Sequence, residues 1–193
     1  NYGWLPLKIF GEHNLQNLMA AYHVCLELGV EENKFYRAIQ SFSGAARRLE
    51  EIARNENTVV YKDFAHSPSK LKATSAAVKK QYPDKKVIAC MELHTFSSLN
   101  KTFLLEYSGC MSSTDEAIVF FNPKTLEHNG LEKITVDVVI IAFFPSKVTV
   151  YNRSTLFTNY LISQHLTNSF VAVPYSLLTL PTNRSFYLLF YLL

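Results

Sequence analysis

From Thr58 to Val173, short apolar runs rich in β-branched and aromatic residues alternate with stretches of helical period, and no other feature of the sequence restricts the fold as much. Thr58 to Phe64, Val87 to Met91, Ala117 to Phe121, Val148 to Tyr151 and Phe170 to Val173 read as strands. Between them, Ser67 to Tyr82, Lys101 to Met111, Val136 to Phe143 and Ser154 to His165 read as helices, the first with Ser67 as N-cap and Pro68 at the first helical position. Strands separated by helices imply parallel βαβ units. The expected fold class is therefore α/β, with a doubly wound, mostly parallel sheet. Ligands of such sheets bind beyond the carboxyl ends of the strands, which directs attention to the residues after Phe64 and after Met91.

The first 44 residues have a different rhythm. Leu5 to Phe10 alternates like a short strand, and Gly11 breaks it. His13 to Leu28 follows helical spacing through Leu15, Leu18, Ala21, Tyr22, Cys25 and Leu26, ending at Gly29. A second helix, Glu31 to Ser41, places Phe35, Ala38, Ile39 and Phe42 on one side. Ser43-Gly44 ends it, so we expect residues 1–44 to belong to one domain and 45–193 to another.

Composition narrows the classes of function. With 48% hydrophobic and 18% charged residues among 193, the chain is globular and long enough to bury a core without staples. Cys25, Cys90 and Cys110 form no CxxC pair, which disfavours a disulfide scaffold or zinc ribbon and favours a reducing, cytoplasmic setting. The net charge of +3 conceals an asymmetry, because no carboxylate follows Asp137 and residues 138–193 hold only Lys147, Arg153 and Arg184 as charges. Such a stretch fits a buried region or a departure from the natural reading frame. No basic cluster marks a nucleic-acid partner. The most apolar run, Phe186 to Leu193, falls far short of the roughly 20 residues of a spanning helix, so no membrane partner is expected. The first residue is not Met, and we expect a piece of a longer protein.

Four stretches carry residues suited to chemistry. In Gly11-Glu12-His13-Asn14-Leu15-Gln16-Asn17, the amides of Asn14 and Asn17 share a face of the first helical turns. They fit the edge of an adenine, which needs one donor and one acceptor, and equally fit N-capping. Arg47-Arg48 offers planar donor forks for phosphate, or a solvated basic turn. Asp63-Phe64-Ala65-His66-Ser67-Pro68 lies where a strand runs into a helix. There Asp63 suits ribose hydroxyls or local hydrogen bonds, and His66 faces the same edge. Glu92-Leu93-His94-Thr95 follows the next strand, with His94 as its titratable candidate or an ordinary surface residue. The chain has no GxxxxGK[ST] loop, GxGxxG, HExxH or GxSxG, and its histidines and cysteines lack metal-ligand spacing; no metal-binding residue is expected here.

In the order in which they occur, these stretches resemble the signature blocks of the Mur ligases, ATP-dependent amide-forming enzymes of peptidoglycan assembly. Gly11-Glu12-His13-Asn14 with Asn17 and Ala20-Ala21 is similar to G-x-H-N-x-x-N-x-x-A-A. Phe42-Ser43-Gly44 through Arg47-Arg48-Leu49-Glu50 is similar to the F-x-G-x-x-x-R-x-E linker, and Asp63 to Pro68 to the D-[FY]-A-H-x-P signature. The likeness covers residues 1–135. Within the family, the Arg pair and the Glu92 to His94 loop are most like ligases that load muramate with L-alanine or with a recycled murein peptide. Alanine-loading members usually carry Arg after the His. This chain has Thr95, which leaves a peptide or another amine open.

The resemblance implies the tail of a central ATP-binding domain in residues 1–44 and a Rossmann-like C-terminal domain in 45–193. It implies ATP, with Mg²⁺ bound mainly by domains outside this chain, and UDP-N-acetylmuramate and an amino acid or short peptide as substrates. By position, Asn14 and Asn17 would contact adenine, Asp63 the ribose and Arg48 the phosphates. His94 would border the amine, and His13 and His66 would line the nucleotide site. Domain closure would pivot near Gly44, and the piece alone would not turn over. Two rivals are a folylpolyglutamate synthase-type ligase, whose pattern is closer to D-G-A-H-N-P, and a non-catalytic nucleotide-binding module.

Overall fold

The computed structural model describes residues 3–46, 48–163 and 169–174. Helices α1 (Glu12–Glu27) and α2 (Glu32–Ser41) precede strand β1 (Glu50–Arg54). There follow β2 (Val59–Asp63), α3 (Pro68–Gln81), β3 (Lys86–Leu93) and α4 (Lys101–Leu104), with a 3₁₀ turn over Leu105–Tyr107. The remainder is β4 (Glu116–Phe121), α5 (Pro123–His128), α6 (Val136–Phe143), β5 (Val148–Tyr151), α7 (Ser154–Ser163) and β6 (Ser169–Pro174). The six strands form one sheet in the order β1-β2-β6-β3-β4-β5. β1 is antiparallel to β2, and every other pairing is parallel, so the expected α/β class holds.

Strand alternation sorts the side chains into two buried layers. On one face Met91, Leu93, Val119 and Phe121 pack under Leu71 of α3, Leu104 of α4, Leu126 of α5 and Phe143 of α6. On the other, Ile88, Cys90, Ile118 and Phe120 pack under Phe157 of α7. The chain therefore steps outward from β2 through β3 and β4 to β5 on one face and returns from β5 to β6 on the other. Opposite directions on opposite faces keep each crossover right-handed, as a twisted parallel sheet demands. β6 lands between β2 and β3, where Phe170, Val171 and Val173 are buried. An acid-free sequence suits such a strand, since both of its faces are covered and neither could hold an unpaired charge.

Several expectations need correction. Leu5 to Phe10 is not a strand. It runs as irregular chain, with Phe10 edge-on to Tyr61 and Tyr82, so its apolar residues pack as a strap instead of pairing in a ladder. The helix expected over Lys101 to Met111 ends its α-helical part at Leu104 and tightens into the 3₁₀ turn, followed by further turns. Ser67 does sit at the N-cap with Pro68 after it, yet its side chain makes no capping bond. Strand β1 and helix α5 were absent from the sequence reading. Among the described residues no helix is long and apolar enough to cross a membrane.

Asp115 joins the starts of β3 and β4. It accepts from Val87 N at 2.7 Å and from Lys79 Nζ at 2.8 Å. Partial burial alone would raise its pKa, but these two donors outweigh it and hold the carboxyl below the ordinary aspartate value. A depressed folded pKa adds stability above the unfolded value that is lost as pH falls through the folded one. Asp115→Ala should cost about 1 kcal/mol in urea denaturation at pH 7, mostly the Val87 bond, because the half-exposed ion pair is screened. The gap from the wild type should close as pH falls below about 4.

Candidate functional site

The antiparallel register of β1 on β2 creates the site. Glu50 pairs with Lys62, which brings the residues just before β1 to the carboxyl end of β2. There Asp63 Oδ1 accepts from Leu49 N at 3.1 Å. Leu49 has a φ of 44°, a left-handed conformation that costs a Leu about 1–2 kcal/mol. Burial of its side chain among Val59, Tyr61 and Phe170 offsets that cost. The second oxygen of Asp63, Oδ2, is buried and has no hydrogen-bond partner. An unmet carboxylate oxygen is expensive unless a ligand donates to it.

Asp63 stands between two hollows. One, of about 260 Å³, is walled by His13 and Asn14 from α1, Arg48 from the linker, and Ser69, Lys70 and Thr74 from α3. The other is a narrow cleft of about 40 Å³ between α3 and the sheet, bordered by Asp63, His66, Glu92 and His94. A third cavity of about 640 Å³ adjoins the first through Asn14, Arg48 and Leu49, and Asn17, Leu18, Phe42 and Tyr61 also line it. All seven residues singled out from the sequence thus border three neighbouring hollows that share lining residues. Arg47 lies outside the described residues.

Local bonds fix several of them. Asn14 Nδ2 donates to Phe10 O at 2.8 Å, so this amide braces the entry to α1 and does not act as its N-cap. That position belongs to Gly11 (φ 92°, ψ 137°), with no side-chain cap. His66 Nδ1 lies 3.0 Å from Phe64 O, and His94 Nδ1 lies 3.2 Å from Glu92 O. A carbonyl only accepts, so each Nδ1 is the donor in its bond, and in the neutral ring Nε2 is the acceptor. Glu92 is buried, with Oε2 unpartnered. The turn after β2 is pinned by fully buried Tyr107, whose hydroxyl donates to His66 O at 2.6 Å and whose pKa burial pushes upward.

The sequence reading passed over Lys70, Leu49 and Tyr107. Lys70 was findable, since projecting the first turn of α3 from Pro68 puts it on the side of Asp63. Leu49 and Tyr107 carry no sequence signal, because one acts through its backbone and the other through tertiary contact.

Comparison with known proteins follows the same lines. No protein-family model matches the chain. It is 41% identical over 115 residues to the UDP-N-acetylmuramate–L-alanine ligase of Caldicellulosiruptor bescii, covering 60% of this chain and 25% of the relative. It is 32% identical over 117 residues to that of Desulfitobacterium hafniense, covering 61% and 26%. Over these residues the chain is homologous to Mur ligases. It spans about a quarter of the length of these relatives. Its fold matches that of the UDP-N-acetylmuramate–alanine ligase of Thermotoga maritima (TM-score 0.65, 16% identity, 87% of this chain and 35% of that one). A murein peptide ligase from Psychrobacter arcticus (0.63, 19%, 93% and 37%) and folylpolyglutamate synthase from Mycobacterium tuberculosis (0.55, 16%, 91% and 40%) share it as well.

The approach of α1 to α3 sets the width of the 260 Å³ pocket, and Gly11 permits it. A Cβ there would meet Ala77 Cβ at 2.8 Å, on a backbone conformation that only Gly adopts readily. Gly11→Ala should lower stability by about 2 kcal/mol in urea denaturation. Gly130→Ala, at φ 61° with open space around it, should cost only about 1 kcal/mol.

Proposed function

We propose that this chain supplies one wall of the nucleotide site of an ATP-dependent ligase that joins an amino acid or short peptide to UDP-N-acetylmuramate through an acyl phosphate. The observation that carries the reading is the buried, unpartnered Oδ2 of Asp63 at the edge of a pocket that His13, Asn14 and Arg48 also line. A ribose hydroxyl is a donor of the right kind for that oxygen. The 640 Å³ cavity beside it, with Asn14 and Asn17 on its polar side and Leu18, Phe42 and Tyr61 on its apolar side, has the size and lining that suit a purine.

In this reading Asn14 and Asn17 face the base, and Arg48 takes phosphate oxygens with its planar fork. His13 and His66 line the nucleotide site, and His94 borders the amine. With Nδ1 donating to Glu92 O, the neutral ring of His94 would present Nε2 to take a proton as the amine attacks. When bound, ATP supplies the phosphoryl group that turns a carboxylate into an acylating agent. Mg²⁺ is assigned mainly to parts of the enzyme beyond this chain.

Residues 1–44 are read as the end of the central ATP-binding domain and 45–193 as the Rossmann-like C-terminal domain, hinged near Gly44. Helix α1 supports that division. It has no buried residue and leaves Leu15, Met19, Val24 and Leu26 in solvent, as a helix does when its packing partner lies elsewhere. The reading places the enzyme in the cytoplasm, with small-molecule substrates and neither nucleic acid nor membrane as partner. The sequence likeness to alanine-adding ligases favours it over a folylpolyglutamate synthase, whose likeness is one of fold at 16% identity.

The full-length parent should release phosphate from ATP with Mg²⁺, UDP-N-acetylmuramate and either L-alanine or the L-Ala-γ-D-Glu-diaminopimelate tripeptide. The amine that turns over assigns biosynthesis or recycling, and silence with both overturns the reading. The 193-residue chain alone should show no turnover. Asp63→Asn in the parent, which keeps an Oδ1 acceptor for Leu49 N, should raise the KM for ATP about tenfold, the worth of one charge-assisted hydrogen bond.

A further inference from the structure

Lys70 is not among the residues to which the Mur-type reading gives a role. It sits in the first turn of α3, on the wall of the 260 Å³ pocket that also holds Arg48, His13 and Asp63. Neither Lys70 nor Arg48 forms an ion pair among the described residues, whereas Lys34, Lys62, Lys79, Lys86 and Lys101 do. The first turn of α3 contains no acidic residue, so nothing there offsets the positive end of the helix. The one carboxylate in the pocket, Asp63, is already drawn toward Leu49 N. Two unpaired cations therefore face one hollow from two separate elements, the linker and α3.

We propose that Lys70 is the second cation of a phosphate clamp, which closes with Arg48 on the di- or triphosphate of a nucleotide whose ribose bonds Asp63. The inference rests on the nucleotide reading above and adds a residue to it. Arg48 contributes a planar fork that fixes orientation, and Lys70 contributes a mobile point charge that follows the chain of phosphates. A bound polyphosphate would join the linker to α3, so the clamp also fastens the segment that leads into β1.

The test is calorimetric titration of the full-length parent with ADP and with adenosine, for the wild type, Lys70→Gln and Lys70→Arg. Lys70→Gln should weaken ADP about five- to tenfold and change adenosine less than about twofold, and Lys70→Arg should restore ADP to within about twofold. Raising salt should narrow the difference between wild type and Lys70→Gln for ADP. If the wild type binds ADP and Lys70→Gln binds it equally well, the clamp is wrong and the nucleotide reading stands. Equal losses for ADP and adenosine would make Lys70 a structural residue and also overturn the clamp. If the wild type binds neither ligand, the nucleotide reading fails and the clamp fails with it.

Discussion

The bond between the Asp63 carboxylate and Leu49 N is the constraint on which the site depends. It spans the last residue of β2 and the residue before β1, and so fixes where the linker from α2 joins the sheet. The left-handed Leu49 turns the chain at that point, with Arg48 just before it on the rim of two hollows. A bound backbone N–H, a buried leucyl side chain and an antiparallel pair together hold a conformation that none would hold alone. With one oxygen so engaged, the other is left buried and without a hydrogen-bond partner, on a side chain that both builds the linker and borders the pocket.

Edge placement explains why β1 is short and charged. Glu50, Glu51 and Arg54 lie on the outer strand, where Lys62 and Tyr61 of β2 meet the two glutamates. Arg54 lies 2.6 Å from Glu51 and holds its carboxyl below the ordinary range. Charges along an edge discourage pairing with other chains, and the irregular register between Glu51 and Ala53 does the same. The inner strands follow the opposite rule. β3 is buried over seven of its eight residues, and its Cys90, closed off from water, has its thiol pushed up to about 12.

These contrasts also decide what the sequence made legible. The inner strands and α3 could be read because their apolar runs are long and their helical period is clear. β1 could not, since a charged five-residue edge strand has no alternation to detect, and it is identified only by β2 beside it. Leu5 to Phe10 misled in the reverse sense: its alternation is real, but Phe10 spends it against Tyr61 and Tyr82 and not in a ladder. The candidate residues were legible through their motifs. Their arrangement was not, because it depends on a crossover that returns β6 to the centre of the sheet and on one backbone amide at Leu49.

That arrangement has a mechanical consequence. The walls of the 260 Å³ pocket come from three separate elements, α1, the linker and α3. Gly11 against Ala77 sets one spacing, and Asp63 against Leu49 sets another. The floor is rigid, because Tyr107 anchors the turn after β2 from the buried core. A ligand filling such a pocket would bridge separate elements, and each such contact would remove freedom between them. In the proposed site the rigid Asp63 would serve orientation, and the cations on the linker and on α3 would serve closure. This division of labour is what an enzyme needs if its site is to assemble only around the correct ligand.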